Sequence, residues 1–174
     1  MIQNYSRYRL LQEFFDVPRK SLRMRELSRK IGLAQPSVLN HLKALCKEGL
    51  ITREEGGLYP TYRANLNAPL FKLLKEQNLV WRLHATKLLE YLDETVKPNC
   101  VVLFGSGARG EDHAESDIDL FIQAEERPLE LKRFEAALHR KFHLLFEADI
   151  RTLPKELLNN LINGQVLYGY LEVL

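Results

Sequence analysis

Cysteine is scarce in this chain of 174 residues, and the two present, Cys46 and Cys100, have neither metal-site nor disulfide spacing. Each sits among apolar neighbours and reads as a small core residue, which suits a reducing cytoplasm. No segment approaches the ~20 consecutive apolar residues of a membrane helix. The first nine residues, Met1–Arg9, lack the apolar run of a signal peptide. A Gly-Lys-Ser/Thr phosphate loop is also missing. These absences exclude a disulfide scaffold, a zinc ribbon, a membrane span and a P-loop NTPase, and lead us to expect a soluble, cytoplasmic protein. The length allows one ordinary domain or two small ones. A net charge of +2 conceals an uneven distribution. Residues 1–66 carry twelve Lys/Arg against six Asp/Glu, whereas residues 67–174 carry thirteen against seventeen. A basic first part joined to an acidic second part points to nucleic acid as a partner of the first alone.

The most informative stretch is Val101–Gly110, an apolar strand running into Gly105-Ser-Gly-Ala-Arg-Gly110, followed by Ser116-Asp-Ile-Asp-Leu-Phe-Ile122. Alternate strand residues share a face, so Asp117 and Asp119 are expected to converge. Two close carboxylates call for a cation, and hard oxygen ligands suit Mg²⁺ carried by nucleotide phosphates. The Gly-Ser turn offers backbone N–H groups and a hydroxyl as a phosphate cradle. Gly105, Gly107 and Gly110 also spell G-x-G-x-x-G, but the following Glu111–Asp117 is too polar and too short for the crossover helix of a dinucleotide-binding unit. The aspartate pair decides for phosphate-and-metal chemistry, that is, nucleotidyl transfer.

This pattern resembles the minimal nucleotidyltransferase family of the DNA polymerase β-like superfamily, over residues 98–174. The resemblance implies a mixed sheet flanked by helices, a two-metal Mg²⁺ site, a nucleoside triphosphate substrate, and a third carboxylate on a neighbouring strand. Leu144–Ile150 is expected to supply that strand, with Asp149 as the third ligand and Glu147 as its reserve. Asp117, Asp119 and Asp149 are then the catalytic and metal-binding residues. Gly105, Ser106, Arg109 and Ser116 bind nucleotide, Arg109 by contacting phosphate or by pinning its loop. Gly107 departs from the family, where arginine is commoner.

In the first part, Tyr5–Phe15 is helical in pattern up to Pro18, and Ser21 is expected to cap a helix reaching Ile31. Gly32 terminates it, Gln35-Pro-Ser opens another helix, and Val38, Leu42 and Leu45 face inward. Gly49 closes that helix, and Leu50–Arg53 begins a hairpin turning at Gly56-Gly57. Helix, turn, helix and hairpin are similar to the winged helix-turn-helix of MarR- and ArsR-type regulators, which implies binding to double-stranded DNA. Its expected contacts are Gln35, Ser37, Asn40, His41, Lys43 and Lys47. Glu54 and Glu55 argue against a wing tip that grips phosphate strongly.

Between these modules Pro69 to about Thr95 contains no Gly or Pro and predicts one long helix with Leu70, Leu74, Trp81, Leu88 and Leu92 along one side. That stripe suggests a homodimer, with Trp81 as an interface anchor. The expected fold is therefore α/β (α+β), with a reader at 1–66, a connecting and dimerising helix at 67–97, and a nucleotidyltransferase domain at 98–174. Three functions compete. The chain transfers a nucleoside monophosphate, AMP in the first instance, to a small molecule or to a protein encoded nearby, as toxin–antitoxin partners do. Alternatively it is a regulator whose second domain only senses nucleotide, or a partner-binding scaffold with neither activity.

Overall fold

The computed structural model describes residues 5–173, so residues 1–4 of the expected reader and Leu174 lie outside the described residues. The chain divides into two compact units, Met1–Lys75 and Glu76–Leu174.

In the first unit, α1 (Ser6–Asp16), α2 (Met24–Ile31) and α3 (Gln35–Lys47) pack beside a three-stranded antiparallel sheet. Its strands are β1 (Leu22–Arg23), β2 (Ile51–Glu54) and β3 (Thr61–Ala64), in the order β1-β3-β2. Leu10 and Phe14 of α1, Leu27 and Ile31 of α2, and Val38, Leu42 and Leu45 of α3 build the core at helical spacing. Gly32 adopts the left-handed conformation (φ 68°) and donates its N–H to the Ser28 carbonyl, ending α2 as expected. The Ser21 cap is not formed. Leu22 instead pairs with Tyr62 as an edge strand, so α2 starts only at Met24, and the Ser21 hydroxyl donates to Glu54 at 2.7 Å. A fully buried Leu22 outweighs one capping bond, since its burial contributes ~1.5–3 kcal/mol against ~1 kcal/mol for a cap.

The second unit holds a mixed four-stranded sheet in the order β6-β5-β4-β7. Its strands are β4 (Cys100–Leu103), β5 (Ile118–Ile122), β6 (Phe142–Phe146) and β7 (Gln165–Gly169). Strands β5 and β6 run parallel, and the other pairs are antiparallel. All four residues of β4 are buried, because both of its faces are covered. Val101 and Leu103 pack with Ile118, Leu120 and Ile122 under the helices α5 (Leu88–Val96) and α6 (Lys132–Leu138). Cys100, Val102 and Phe121 pack on the opposite face with Leu161 of α7 (Lys155–Ile162). Burial pushes the Cys100 thiol up to about 11, in keeping with an inert core residue.

The expected long connecting helix is broken. It forms α4 (Pro69–Ala85) and α5, with Lys87 between them in the left-handed region at φ 60°. The Thr86 hydroxyl donates to the Leu83 carbonyl at 2.7 Å, and the Lys87 N–H folds back onto the His84 carbonyl. The bend turns Leu88, Leu89 and Leu92 into the second core with Leu83, a gain unavailable to a straight helix. The expected single stripe therefore dissolves: Leu88 and Leu92 are buried, whereas Leu70 and Trp81 are exposed. Among the described residues, no helix is long and apolar enough to cross a membrane.

Lys87→Gly discriminates the two descriptions. A left-handed lysine costs ~1 kcal/mol or more, so glycine should stabilise the chain in chemical denaturation. In a continuous helix the same change would destabilise it by ~1 kcal/mol.

Candidate nucleotide site and nucleic-acid interface

The Gly105 turn follows β4 directly, and Phe104 N–H donates to the Asp119 carbonyl, which fixes the turn beside the head of β5. Gly105 has φ +70°, and a Cβ there would fall onto the Asp119 carboxylate. Only glycine combines that backbone with so close an approach. Ser106 begins a 3₁₀ turn (Gly107–Arg109), and its carbonyl accepts the N–H groups of Arg109 and Glu111. The Arg109 Nε donates to Glu111 at 3.1 Å, so in this conformation Arg109 pins its loop. The departure at Gly107 has a physical reason. It is buried, and a Cβ would meet the Leu79 side chain at 3.0 Å, so any larger residue here requires Leu79 to shift.

Asp117 is exposed and immediately precedes β5, while Asp119 lies within it. Asp119 Oδ1 is 2.9 Å from Nδ1 of His143 on β6, the residue paired with it across the parallel register. Ser116 is occupied inside its own loop, where its hydroxyl accepts the His113 N–H at 3.0 Å.

Asp149 does not join these residues. Strand β6 ends at Phe146, paired with Ile122 at the far end of β5, so Asp149 lies beyond that end, more than ~10 Å along the strands from Asp119. There it caps a short 3₁₀ turn and forms a two-pronged ion pair with Arg151, both contacts at 2.8 Å. The Arg151 side chain, then its backbone N–H, holds the Asp149 carboxyl down at about 2. Glu147, the reserve, accepts the Asp149 N–H at the same end. Sequence parity carried the strand pattern on to Glu147 and Asp149 and could not see that β6 stops at Phe146. His143 was missed, although Phe142-His-Leu144 has the flanking apolar residues expected of a ligand position.

The Asp119 carboxylate beside the glycine cradle, with Asp117 two residues before it, fits one Mg²⁺ that completes its shell with phosphate oxygens and water. The second metal of the expected pair lacks its third carboxylate. Among the described residues, no group of three or more His, Cys, Asp or Glu is arranged to hold a metal ion.

In the first unit a cavity of about 650 Å³ lies between the start of α2, one flank of α3 and the β2–β3 wing. Gln35, Leu39 and Lys43 of α3 face Arg25, Arg53 and Tyr59 across it. The Arg25 guanidinium lies 5.3 Å from the Tyr59 ring centre. The six expected DNA contacts do not share a face. Asn40 and Lys47 point outward, but Ser37 and His41 fall on the opposite flank and are half-buried, with the His41 ring 6.5 Å from that of Tyr5. Arg23, Arg25, Arg29 and Arg53 were missed, and the four-residue spacing of Arg25 and Arg29 on α2 was the available signal.

Comparison with known proteins agrees with both units. The family model described as polymerase beta, nucleotidyltransferase matches residues 86–172, and one for a winged helix-turn-helix DNA-binding domain matches residues 4–52. The chain belongs to the polymerase beta-like nucleotidyltransferase family and carries a winged helix-turn-helix DNA-binding domain ahead of it. No curated protein and no solved structure matches the chain.

Two substitutions test the geometry. Gly105→Ala should abolish binding of Mg²⁺-ATP in calorimetry, by forcing a strained turn onto Asp119; wild-type affinity would show that the turn is not the cradle. Asp149→Asn should leave nucleotide binding unchanged. Its effect belongs to stability and is full above the carboxyl's unfolded value of ~3.9, because a depressed carboxyl stabilises there and loses that contribution as pH falls toward about 2. The variant should therefore show a flatter stability profile between those limits.

Proposed function

We propose that this protein is a DNA-binding regulator whose nucleotidyltransferase domain binds a nucleoside triphosphate with one Mg²⁺ and responds to it. The observation that carries this reading is His143 at 2.9 Å from Asp119, on the neighbouring strand where the family resemblance calls for a third carboxylate. Asp117 and Asp119 would hold the metal, and the Gly105–Ser106 turn would take the outer phosphates through its N–H groups and hydroxyl. Bound Mg²⁺ supplies charge neutralisation on the triphosphate. Arg25, Arg53, Lys43 and Lys47 would meet DNA phosphates, while Gln35 and Asn40 would read base edges.

The second reading is transfer of a nucleoside monophosphate, AMP first, to a hydroxyl of a small molecule or of a protein encoded beside this one. The intact Gly105-Ser106 turn and both aspartates favour it. It lacks a carboxylate placed to activate the acceptor, since Asp149 is engaged elsewhere. Under either reading we take 1–66 as the reader, 67–97 as the connecting segment and 98–174 as the nucleotide-binding module, in a cytoplasmic homodimer. The exposed Leu70, Leu73 and Trp81 of α4 support the dimer.

Duplex DNA binding measured with and without Mg²⁺-ATP should differ ~5- to 150-fold, the range of ordinary coupling between two sites. Wild type given α-labelled ATP and the product of the adjacent gene should transfer no label, whereas His143→Asp should begin to do so. Label transfer by wild type would establish the second reading. Equal DNA affinity with and without nucleotide would remove the first.

A further inference from the structure

The short run that follows α6 grips the head of β5 residue by residue. His139 turns the chain through a left-handed conformation at φ 55°. Arg140 then donates from Nε to the Ser116 carbonyl at 2.7 Å, from Nη2 to the Asp117 carbonyl at 2.9 Å, and from Nη1 to the Asp112 carboxylate at 2.6 Å. The Lys141 carbonyl accepts the Ile118 N–H at 2.9 Å, and His143 meets the Asp119 carboxylate. Four consecutive residues, 116–119, are thus held by three residues of one passing segment, Arg140, Lys141 and His143.

Within this grip Arg140 has a distinct part. Its side chain is 9% exposed and that of Asp112 is 7% exposed, so the pair lies out of bulk water, where charged hydrogen bonds are strongest. The two carbonyls it holds belong to the peptide units on either side of the Asp117 α-carbon. Asp117 precedes the strand and has no ladder partner, so the β5 register alone does not set its position. Asp119 needs no such help, being inside the ladder and against Gly105.

We propose that Arg140 is the positioning residue of the nucleotide site, fixing the backbone of Asp117 so that its carboxylate is presented to the nucleotide-borne metal; this rests on the Mg²⁺-nucleotide reading above. The planar guanidinium is required because one group must serve two carbonyls and a carboxylate at once. A lysine at this place can keep the ion pair with Asp112 but cannot reproduce the fork.

The experiment is calorimetry on the full chain, titrating ATP with Mg²⁺ and ATP with chelator into wild type, Arg140→Lys and Asp112→Asn. Wild type should bind more tightly with Mg²⁺. In Arg140→Lys that metal-dependent gain should fall ~10- to 100-fold, the usual effect of removing a support behind a metal ligand, with metal-free ATP affinity nearly unchanged. Hydrogen exchange on the metal-free chain should also quicken at the Asp117 and Ile118 amides. A purely structural role would lower the melting temperature and leave the ratio of the two affinities as in wild type, which would overturn the proposal. Should Arg140→Lys not fold, Asp112→Asn decides: the ratio falls if the clamp positions Asp117 and stays constant if it does not. Wild type with equal affinity in the two titrations would instead defeat the one-metal reading itself.

Discussion

The parallel register of β5 on β6 is the constraint on which this site depends. It pairs Asp119 with His143 and Ile122 with Phe146, so everything after Phe146 is delivered to the wrong end of the sheet for metal chemistry. Register in a sheet buried on both faces is not adjustable, because a slip of one residue would carry Leu144 and Phe146 out of the core with Leu120 and Ile122. The same alternation that buries Ile118, Leu120 and Ile122 on one face leaves Asp119 on the other, beside the Gly105 turn. Asp119 shares that second face with the buried Phe121, so ligand chemistry occupies only the head of a face whose remainder belongs to the core.

Much of the architecture was legible because it follows from local patterns. The glycine turn, the apolar runs around it and the Asp-x-Asp spacing are short-range features, and they sit on the strands and turn that the sequence implies. Gly32, Pro36 and Gly49 likewise mark helix ends through their own backbone preferences. What failed depends on distant partners. The break at Lys87 arises because Leu88, Leu89 and Leu92 gain a core that no helical pattern reveals. Asp149 had the right parity on an extrapolated strand, yet β6 stops three residues earlier, and Arg151, two residues on, captures the carboxylate. The recognition helix showed its inward face clearly, but α1 covers one flank of it, which removes His41 from the outward set.

The first unit carries its positive charge where a polyanion can reach it. Arg25, Arg29 and Arg53 are exposed around the cavity beside α3, with Glu26 the single acid among its lining residues. The wing's own acids are partly neutralised, Glu55 by Arg53 at 2.7 Å and Glu54 more distantly by Arg63. Exposed pairs of this kind contribute little to stability and are open to exchange with phosphate. The second unit is acidic overall, and the cations near the head of β5, Lys132, Arg140 and Lys141, are interspersed there with Glu115, Asp117 and Glu135.

The central claim is that His143 in place of a carboxylate leaves a one-metal nucleotide site. Counting bound metal tests it most directly, with Mn²⁺ as the spectroscopic substitute for Mg²⁺ and a non-hydrolysable nucleoside triphosphate at saturation. One Mn²⁺ per chain, lost in Asp119→Asn, is the result expected. Two Mn²⁺ per chain in the wild type would contradict the account, because a second ion would require a ligand set that the strand register does not supply.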